Sequence, residues 1–160
     1  MNFLFFTDTH FRNESPIHRT DNIFETQLGK LRWILEFAKK NNAKIIHGGD
    51  MFHKPSPPDI VGNRVAQLFD EFGIDVYYIL GNHDVTGSNS DSFDYGLIGM
   101  FRYYKWFHFL HDGMLEEDNC CVYGFDFSKE TECADNLVGD IKIDKINNKN
   151  AFFMNSYHFS

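Results

Sequence analysis

Four short apolar runs mark this chain, and each leads into polar residues. Phe3-Leu4-Phe5-Phe6 precedes Asp8-Thr9-His10, and Ala43-Lys44-Ile45-Ile46 precedes Gly48-Gly49-Asp50. Val76-Tyr77-Tyr78-Ile79-Leu80 precedes Gly81-Asn82-His83-Asp84, and Ala151-Phe152-Phe153-Met154 precedes Tyr157-His158. Apolar runs of this length bounded by Gly, Asn or Asp read as buried strands. Helical spacing separates the first three. Ile23, Leu28, Leu31, Ile34, Leu35 and Ala38 fall on one stripe, which predicts a helix from about Asn22 to Asn41 capped by Asp21 or Asn22. Val61, Val65, Leu68 and Phe72 predict a second helix, begun by Ser56-Pro57-Pro58-Asp59 with Ser56 as cap and ended by Gly73.

This β-α-β-α-β order predicts an α/β fold with a parallel sheet and right-handed crossovers. Beyond it the pattern weakens. Residues 85–92 read as a polar loop and 93–103 as a short helix. Trp106–Leu110, Met114–Glu116 and Cys121–Phe125 read as short strands, with a meander as one arrangement. Glu130–Val138 reads as a weak helix, and Asn147–Asn150 as a turn before the last apolar run. No internal repeat or linker divides the chain, so residues 1–160 are expected to form a single domain.

Composition adds little to the fold and more to the class. With 18 Phe and 7 Tyr among 160 residues, large rings should dominate the core. The 3 Cys form neither a disulfide framework nor a CxxC pair, the pattern of reduced intracellular thiols. No run approaches the ~18 apolar residues of a membrane span, so the expectation is a cytoplasmic protein with no membrane partner. Frequent Asn, Lys and Phe point to an AT-rich genome, bacterial or phage. The net charge of -8 leaves no basic face for gripping nucleic acid by its phosphates alone. Arg102-Tyr103-Tyr104-Lys105-Trp106 mixes basic and aromatic residues, but it reads better as a helix end entering a strand than as a stacking platform.

The chemistry lies at the strand ends. In open α/β sheets, ligands bind in the crevice at the carboxyl ends of the strands. Asp8 and His10 offer a hard oxygen and an imidazole. Asp50 follows two glycines that allow a tight turn, and a carboxylate there can bridge two cations. Asn82 is a neutral oxygen donor, His83 an acid or anion binder, and Asp84 a group able to orient His83. Any one of these motifs is weak alone. Three in order, each after a strand, point to a two-cation hydrolytic centre. His47, inside a strand, reads as a satisfied core histidine, His18 as a loop residue near the site entrance, and His108 and His111 as structural.

DxH, GGD and GNHD in this order resemble the calcineurin-like metallophosphoesterases. Gly49-Asp50-Met51-Phe52-His53-Lys54-Pro55-Ser56-Pro57 is similar to the Mre11/SbcD branch of DNA-repair exonucleases. The resemblance implies a β-sandwich with flanking helices. It implies that Asp8 and His10 hold one divalent cation, that Asp50 bridges two, and that Asn82 and His158 hold the second, with Mn²⁺ favoured over Mg²⁺ or Fe. It makes His83 the catalytic histidine, acting on the scissile phosphate and the leaving oxygen. His53 matches a histidine near the substrate phosphate, with a surface or supporting position as the alternative. DNA is the implied substrate, with a Rad50/SbcC-like ATPase and a second copy of the chain as implied partners. The family also has a Gly-His-x-His motif, which does not occur before Ser160, so the expectation is a domain lacking its C-terminal part and one ligand per metal. Two other functions stay open. One is a phosphatase or small-substrate phosphoesterase of the same superfamily, and the other is a catalytically incomplete scaffold or fragment.

Overall fold

The first three apolar runs form parallel strands: β1 (Asn2–Phe6), β2 (Ala43–His47) and β3 (Val76–Tyr78). The computed structural model describes residues 2–86, 90–110, 114–117, 120–127 and 150–155, the last six as backbone only. Helices α1 (Ile23–Lys40) and α2 (Asp59–Phe72) make the two crossovers. Asn22 starts α1, its Oδ1 accepting from the N–H of Phe24 at 3.0 Å and of Glu25 at 3.2 Å. Helix α2 differs from expectation at its start. Pro58, extended at φ -54° and ψ 141°, leads directly into Asp59, and no side chain caps the helix, so Ser56 is not its cap. Gly73 closes α2 in the left-handed conformation, as its position implies.

A fourth strand, β4 (Phe107–Phe109), extends the sheet in the order β1-β2-β3-β4 and pairs parallel to β3. The meander arrangement fails here because the chain returns to the same edge through a helical crossover. That crossover is broken where one helix was expected. A 3₁₀ turn at Ser90–Tyr95, the short α3 (Leu97–Met100) and a second 3₁₀ turn at Phe101–Tyr103 follow in succession, with Gly96 extended at φ -92° and ψ 169° between the first two. Arg102 closes this segment structurally. It pairs with Asp94 at 2.9 Å and lies 4.8 Å over the Phe93 ring, as the helix-end reading requires.

Two apolar layers result. Leu28, Leu31 and Leu35 of α1 with Val61, Val65 and Phe69 of α2 bury the helix face of the sheet. Trp106, 2% exposed, stacks on Phe69 at 5.1 Å. Ile34, expected on the α1 stripe, is only half-buried, and Phe24 is buried in addition.

On the opposite face lies a second sheet of β5 (Met114–Glu116), β6 (Cys120–Phe125) and β7 (Asn150–Asn155). Strands β5 and β6 are antiparallel, while β6 and β7 are parallel. The last apolar run therefore joins this second sheet. Leu115 and Val122 pack against Ile46, Ile79 and Leu110. Lys44 bridges the sheets to Glu117 at 2.6 Å, and that contact raises the Lys44 pKa. This is the β-sandwich with helices on one side that the resemblance implies. The expected helix over Glu130–Val138, together with Cys133, His111 and His158, lies outside the described residues. Among the described residues, no helix is long and apolar enough to cross a membrane.

Candidate metal centre and its histidines

The loops leaving β1 and β2 do not separate where the sheet ends. They continue as an irregular parallel ladder: Asp8 N–H to Gly49 O at 3.2 Å, His10 N–H to Asp50 O at 3.0 Å, Phe11 N–H to Met51 O at 2.8 Å, and His53 N–H to Phe11 O at 3.2 Å. Phe11 and Phe52, both almost fully buried, anchor its far end. Gln27 on α1 holds the β1 loop from the side. Its Nε2 donates to Thr9 O at 2.8 Å and His10 O at 2.9 Å, and its Oε1 accepts from Arg12 N–H at 3.2 Å.

Asp8, His10 and Asp50 meet on this ladder. His10 Nε2 lies 3.5 Å from Asp8 Oδ1 and 4.0 Å from Asp50 Oδ2. One donor atom from each of the three falls within 4.8 Å of the others. All three adopt left-handed backbone conformations, at φ 55°, 43° and 57°. Such conformations disfavour ordinary side chains by about 1–3 kcal/mol each and persist only where the surroundings impose them. Glycines make this crowding possible. Gly49 has φ +96°, and a Cβ on Gly81 would stand 2.0 Å from Asp50 Oδ1.

His83 sits across from this trio. Its backbone N–H donates to Asp50 Oδ1 at 2.8 Å, and its Nδ1 lies 2.8 Å from the carbonyl of His53. A carbonyl only accepts, so Nδ1 carries the hydrogen and Nε2 remains for other chemistry. The ring centroid of His83 is 4.6 Å from that of His10 and 5.5 Å from that of His53. Burial holds His10 below the usual imidazole pKa, against the opposing pull of Asp50. Burial also lowers His53, followed by the charge of Arg12.

Asp84, expected to orient His83, instead faces inward. It is 1% exposed, and its Oδ2 accepts from Tyr78 OH at 2.7 Å, Gly81 N–H at 2.8 Å and Asp50 N–H at 2.9 Å. The carboxylate thus ties the β3 loop to the β2 loop, while the His53 carbonyl orients His83. Burial pushes Asp84 up to about 7, although the three donors pull the other way. Tyr78 completes the tie by accepting from Met51 N–H at 2.9 Å.

His47 is fully buried, as expected of a core histidine, and burial pushes it down to about 3. Its Nδ1 accepts from Gly49 N–H at 3.2 Å, so Nε2 carries the hydrogen toward Thr9 Oγ1 at 3.3 Å. Thr9 passes its own hydrogen to Met51 O at 3.1 Å. Asp126 accepts from Leu80 N–H at 2.7 Å, just before the β3 loop. His18 is exposed, and His108 binds Asp75 at 3.1 Å, away from the ladder.

The structure therefore brings Asp8, His10, Asp50, His53 and His83 together. Asn82 is half-buried in the same turn as His83, and His158 lies outside the described residues. Tyr78 and Gln27 were not apparent from sequence. Two carboxylates and an imidazole, one carboxylate almost fully buried, form a donor set that fits a hard to borderline divalent cation.

Such a donor set on strand-end loops of a helix-flanked sandwich defines a metal-dependent phosphoesterase architecture. The chain belongs to the calcineurin-like phosphoesterase family, whose profile matches residues 1–155. Members of this family bind divalent metals. The chain is similar to the DNA double-strand break repair protein Mre11 of Methanococcus maripaludis, with 31% identity over 104 residues. That match takes in 61% of this chain and 27% of the relative, so the chain aligns with about a quarter of the longer protein.

Proposed function

We propose that this domain hydrolyses phosphodiester bonds of DNA, as a metal-dependent nuclease of the Mre11/SbcD kind acting in recombination or repair. The observation that carries this reading is the convergence of Asp8, His10 and Asp50, with His83 facing them. Asp8, His10 and Asp50 would hold one cation, and Asp50, Asn82 and His158 would hold a second. Mn²⁺ suits this mixture of carboxylate, imidazole and carboxamide, with Mg²⁺ and Fe as alternatives. When bound, such cations polarise phosphoryl oxygens and neutralise developing charge.

The protein groups do the rest. The His53 carbonyl holds His83 in one orientation through its Nδ1–H and leaves Nε2 for proton transfer: the doubly protonated ring would give its Nε2 proton to the leaving 3′ oxygen and end as the neutral Nδ1–H imidazole. The Asp84 and Tyr78 tie fixes the backbone of Asp50 against the turn that carries His83. His53, with its ring 5.5 Å from that of His83, would lie near a substrate phosphate. The nuclease reading further implies a Rad50/SbcC-like ATPase partner, a second copy of the chain and a cytoplasmic site of action. Its supports are the 49–57 segment and the similarity to the DNA double-strand break repair protein of Methanococcus maripaludis.

A second reading, a phosphatase or small-substrate phosphoesterase, draws on the net charge of -8. One comparison separates the two. Mn²⁺-dependent turnover is measured on single-stranded DNA, bis-p-nitrophenyl phosphate and p-nitrophenyl phosphate. The nuclease reading expects the first two to be cleaved, and His83→Ala to lose at least about 100-fold while still binding Mn²⁺. Preference for the monoester, or full nuclease activity in His83→Ala, would overturn it.

A further inference from the structure

The chain has five arginines, and four of them are ion-paired: Arg19 with Asp21, Arg32 with Glu71, Arg64 with Glu25 and Arg102 with Asp94. Arg12 is the exception, having no carboxylate partner among the described residues. It is half-buried, and its Nε is enclosed with no hydrogen-bond partner. An enclosed donor left unmade is unfavourable, and guanidinium groups in clefts are suited to bidentate contact with phosphate.

Its position is defined. Arg12 follows Phe11 on the ladder, and His53 N–H binds Phe11 O at 3.2 Å, so Arg12 and His53 are neighbours across the two loops. The guanidinium is close enough to act on the charge of the His53 ring. The backbone of Arg12 is pinned by Gln27 Oε1 at 3.2 Å. Extended chain rises ~3.3 Å per residue, so Arg12 lies roughly 7 Å along the ladder from His10. This is a step outward from the metal ligands, on the scale of one nucleotide. The next cation, Lys54, is exposed and 3.8 Å from Glu14, which leaves Arg12 as the arginine or lysine without a carboxylate partner at this rim among the described residues.

We propose that Arg12, with His53 beside it, binds the phosphate adjacent to the scissile one, so that the site selects a polynucleotide strand over an isolated phosphodiester. The proposal rests on the nuclease reading above. It also explains how an acidic protein can engage a polyanion, by one placed guanidinium at the site mouth instead of a basic face.

The test compares wild type, Arg12→Ala and Arg12→Lys, with thermal melts to establish folding. Cleavage of a fluorescein-labelled oligothymidylate and of bis-p-nitrophenyl phosphate is measured with Mn²⁺. Binding of the same oligonucleotide is measured by anisotropy in EDTA across a salt series. The expected result for Arg12→Ala is a ten- to hundredfold fall in the ratio of kcat/KM on oligonucleotide to kcat/KM on bis-p-nitrophenyl phosphate, carried by KM. Arg12→Lys recovers part of it. The salt slope of binding falls by about one phosphate contact. An unchanged ratio, or equal losses on both substrates, overturns the proposal. If wild type cleaves bis-p-nitrophenyl phosphate but not the oligonucleotide, the nuclease reading fails. The Arg12 site then survives if its binding contribution persists in EDTA, and falls if Arg12→Ala and wild type titrate alike.

Discussion

Tyr78→Phe tests how the site is held. Tyr78 is fully buried, and its ring contacts are unaffected by loss of the hydroxyl: His47 at 4.9 Å, Phe107 at 5.1 Å and Phe109 at 6.0 Å. The substitution therefore opens no cavity of consequence. It removes two hydrogen bonds, one accepted from Met51 N–H at 2.9 Å and one donated to Asp84 Oδ2 at 2.7 Å. Met51 is fully buried, so its N–H is stranded, at about 1–3 kcal/mol. Asp84 keeps two backbone donors but loses its only side-chain one, a further loss of about 1 kcal/mol for a group whose pKa burial raises to about 7. The sum is about 2–4 kcal/mol, within the 5–15 kcal/mol typical of a domain, so the variant folds. At about 2–4 °C per kcal/mol its melting temperature falls by roughly 4–16 °C. Because Asp84 fixes the Asp50 backbone, Mn²⁺ affinity should weaken about 10–100-fold, as for outer partners of metal ligands. Urea unfolding in EDTA and calorimetric Mn²⁺ titration read the two effects separately. A stability change under about 0.5 kcal/mol refutes the hydrogen-bond argument. A large stability loss with unaltered Mn²⁺ affinity refutes the link from Asp84 to Asp50.

Three further perturbations probe other parts of the centre. Gly81→Ala puts a Cβ 2.0 Å from Asp50 Oδ1 and 2.7 Å from Asp50 N, where backbone cannot yield, so titration should record severe loss of Mn²⁺ binding in a protein that still melts cooperatively. Asp50→Ala should weaken every Mn²⁺ equivalent seen with wild type, and calorimetry that leaves one equivalent intact would remove Asp50 from the bridging position. The third concerns pH. His47 has a folded pKa of about 3, below its unfolded value of 6.5, so the unfolded chain takes up the proton first. This contribution to stability is complete above about pH 6.5 and is lost as pH falls toward 3, by on the order of 5 kcal/mol at about 1.4 kcal/mol per unit. Metal-free wild type should therefore lose more stability than His47→Gln over that interval in urea melts, and parallel pH profiles would contradict it.

The legible parts of the fold were those where one physical pattern dominated. Helix α1 was readable because its apolar stripe and the Asn22 cap agree, and the first three strands because each apolar run stops at turn residues. Asp8, His10, Asp50 and His83 stood out as polar groups immediately after such runs. The same logic failed for Tyr78. Inside an apolar run a tyrosine reads as core, and nothing local reveals that its hydroxyl binds the N–H of Met51, 27 residues earlier in the chain. Gln27 sits between stripe positions of α1 and looks like any half-exposed helix residue. The reading of Asp84 erred because adjacency to His83 suggested contact, whereas consecutive residues of a tight turn point apart. The run that forms β4 leaves the meander open as one arrangement, because short strands in succession fit either topology and only the broken helical crossover decides between them.

The three left-handed ligand residues explain why these supports exist. Each strained backbone on the β1 and β2 loops is unfavourable alone, and the ladder between Asp8–Phe11 and Gly49–His53 holds all of them against relaxation. The clamp of Asp84 on the N–H of Asp50 and the grip of Gln27 on the carbonyls of Thr9 and His10 act on backbone groups, not on the carboxylates and imidazole of the ligand set. A centre built this way has its donors gathered by the backbone, so that a cation meets groups already turned toward it and little ordering entropy remains to oppose binding. The positions that matter most are consequently those that fix peptide groups, and a conservative change at Tyr78 or Gly81 should perturb this site more than a larger change on the exposed helix faces.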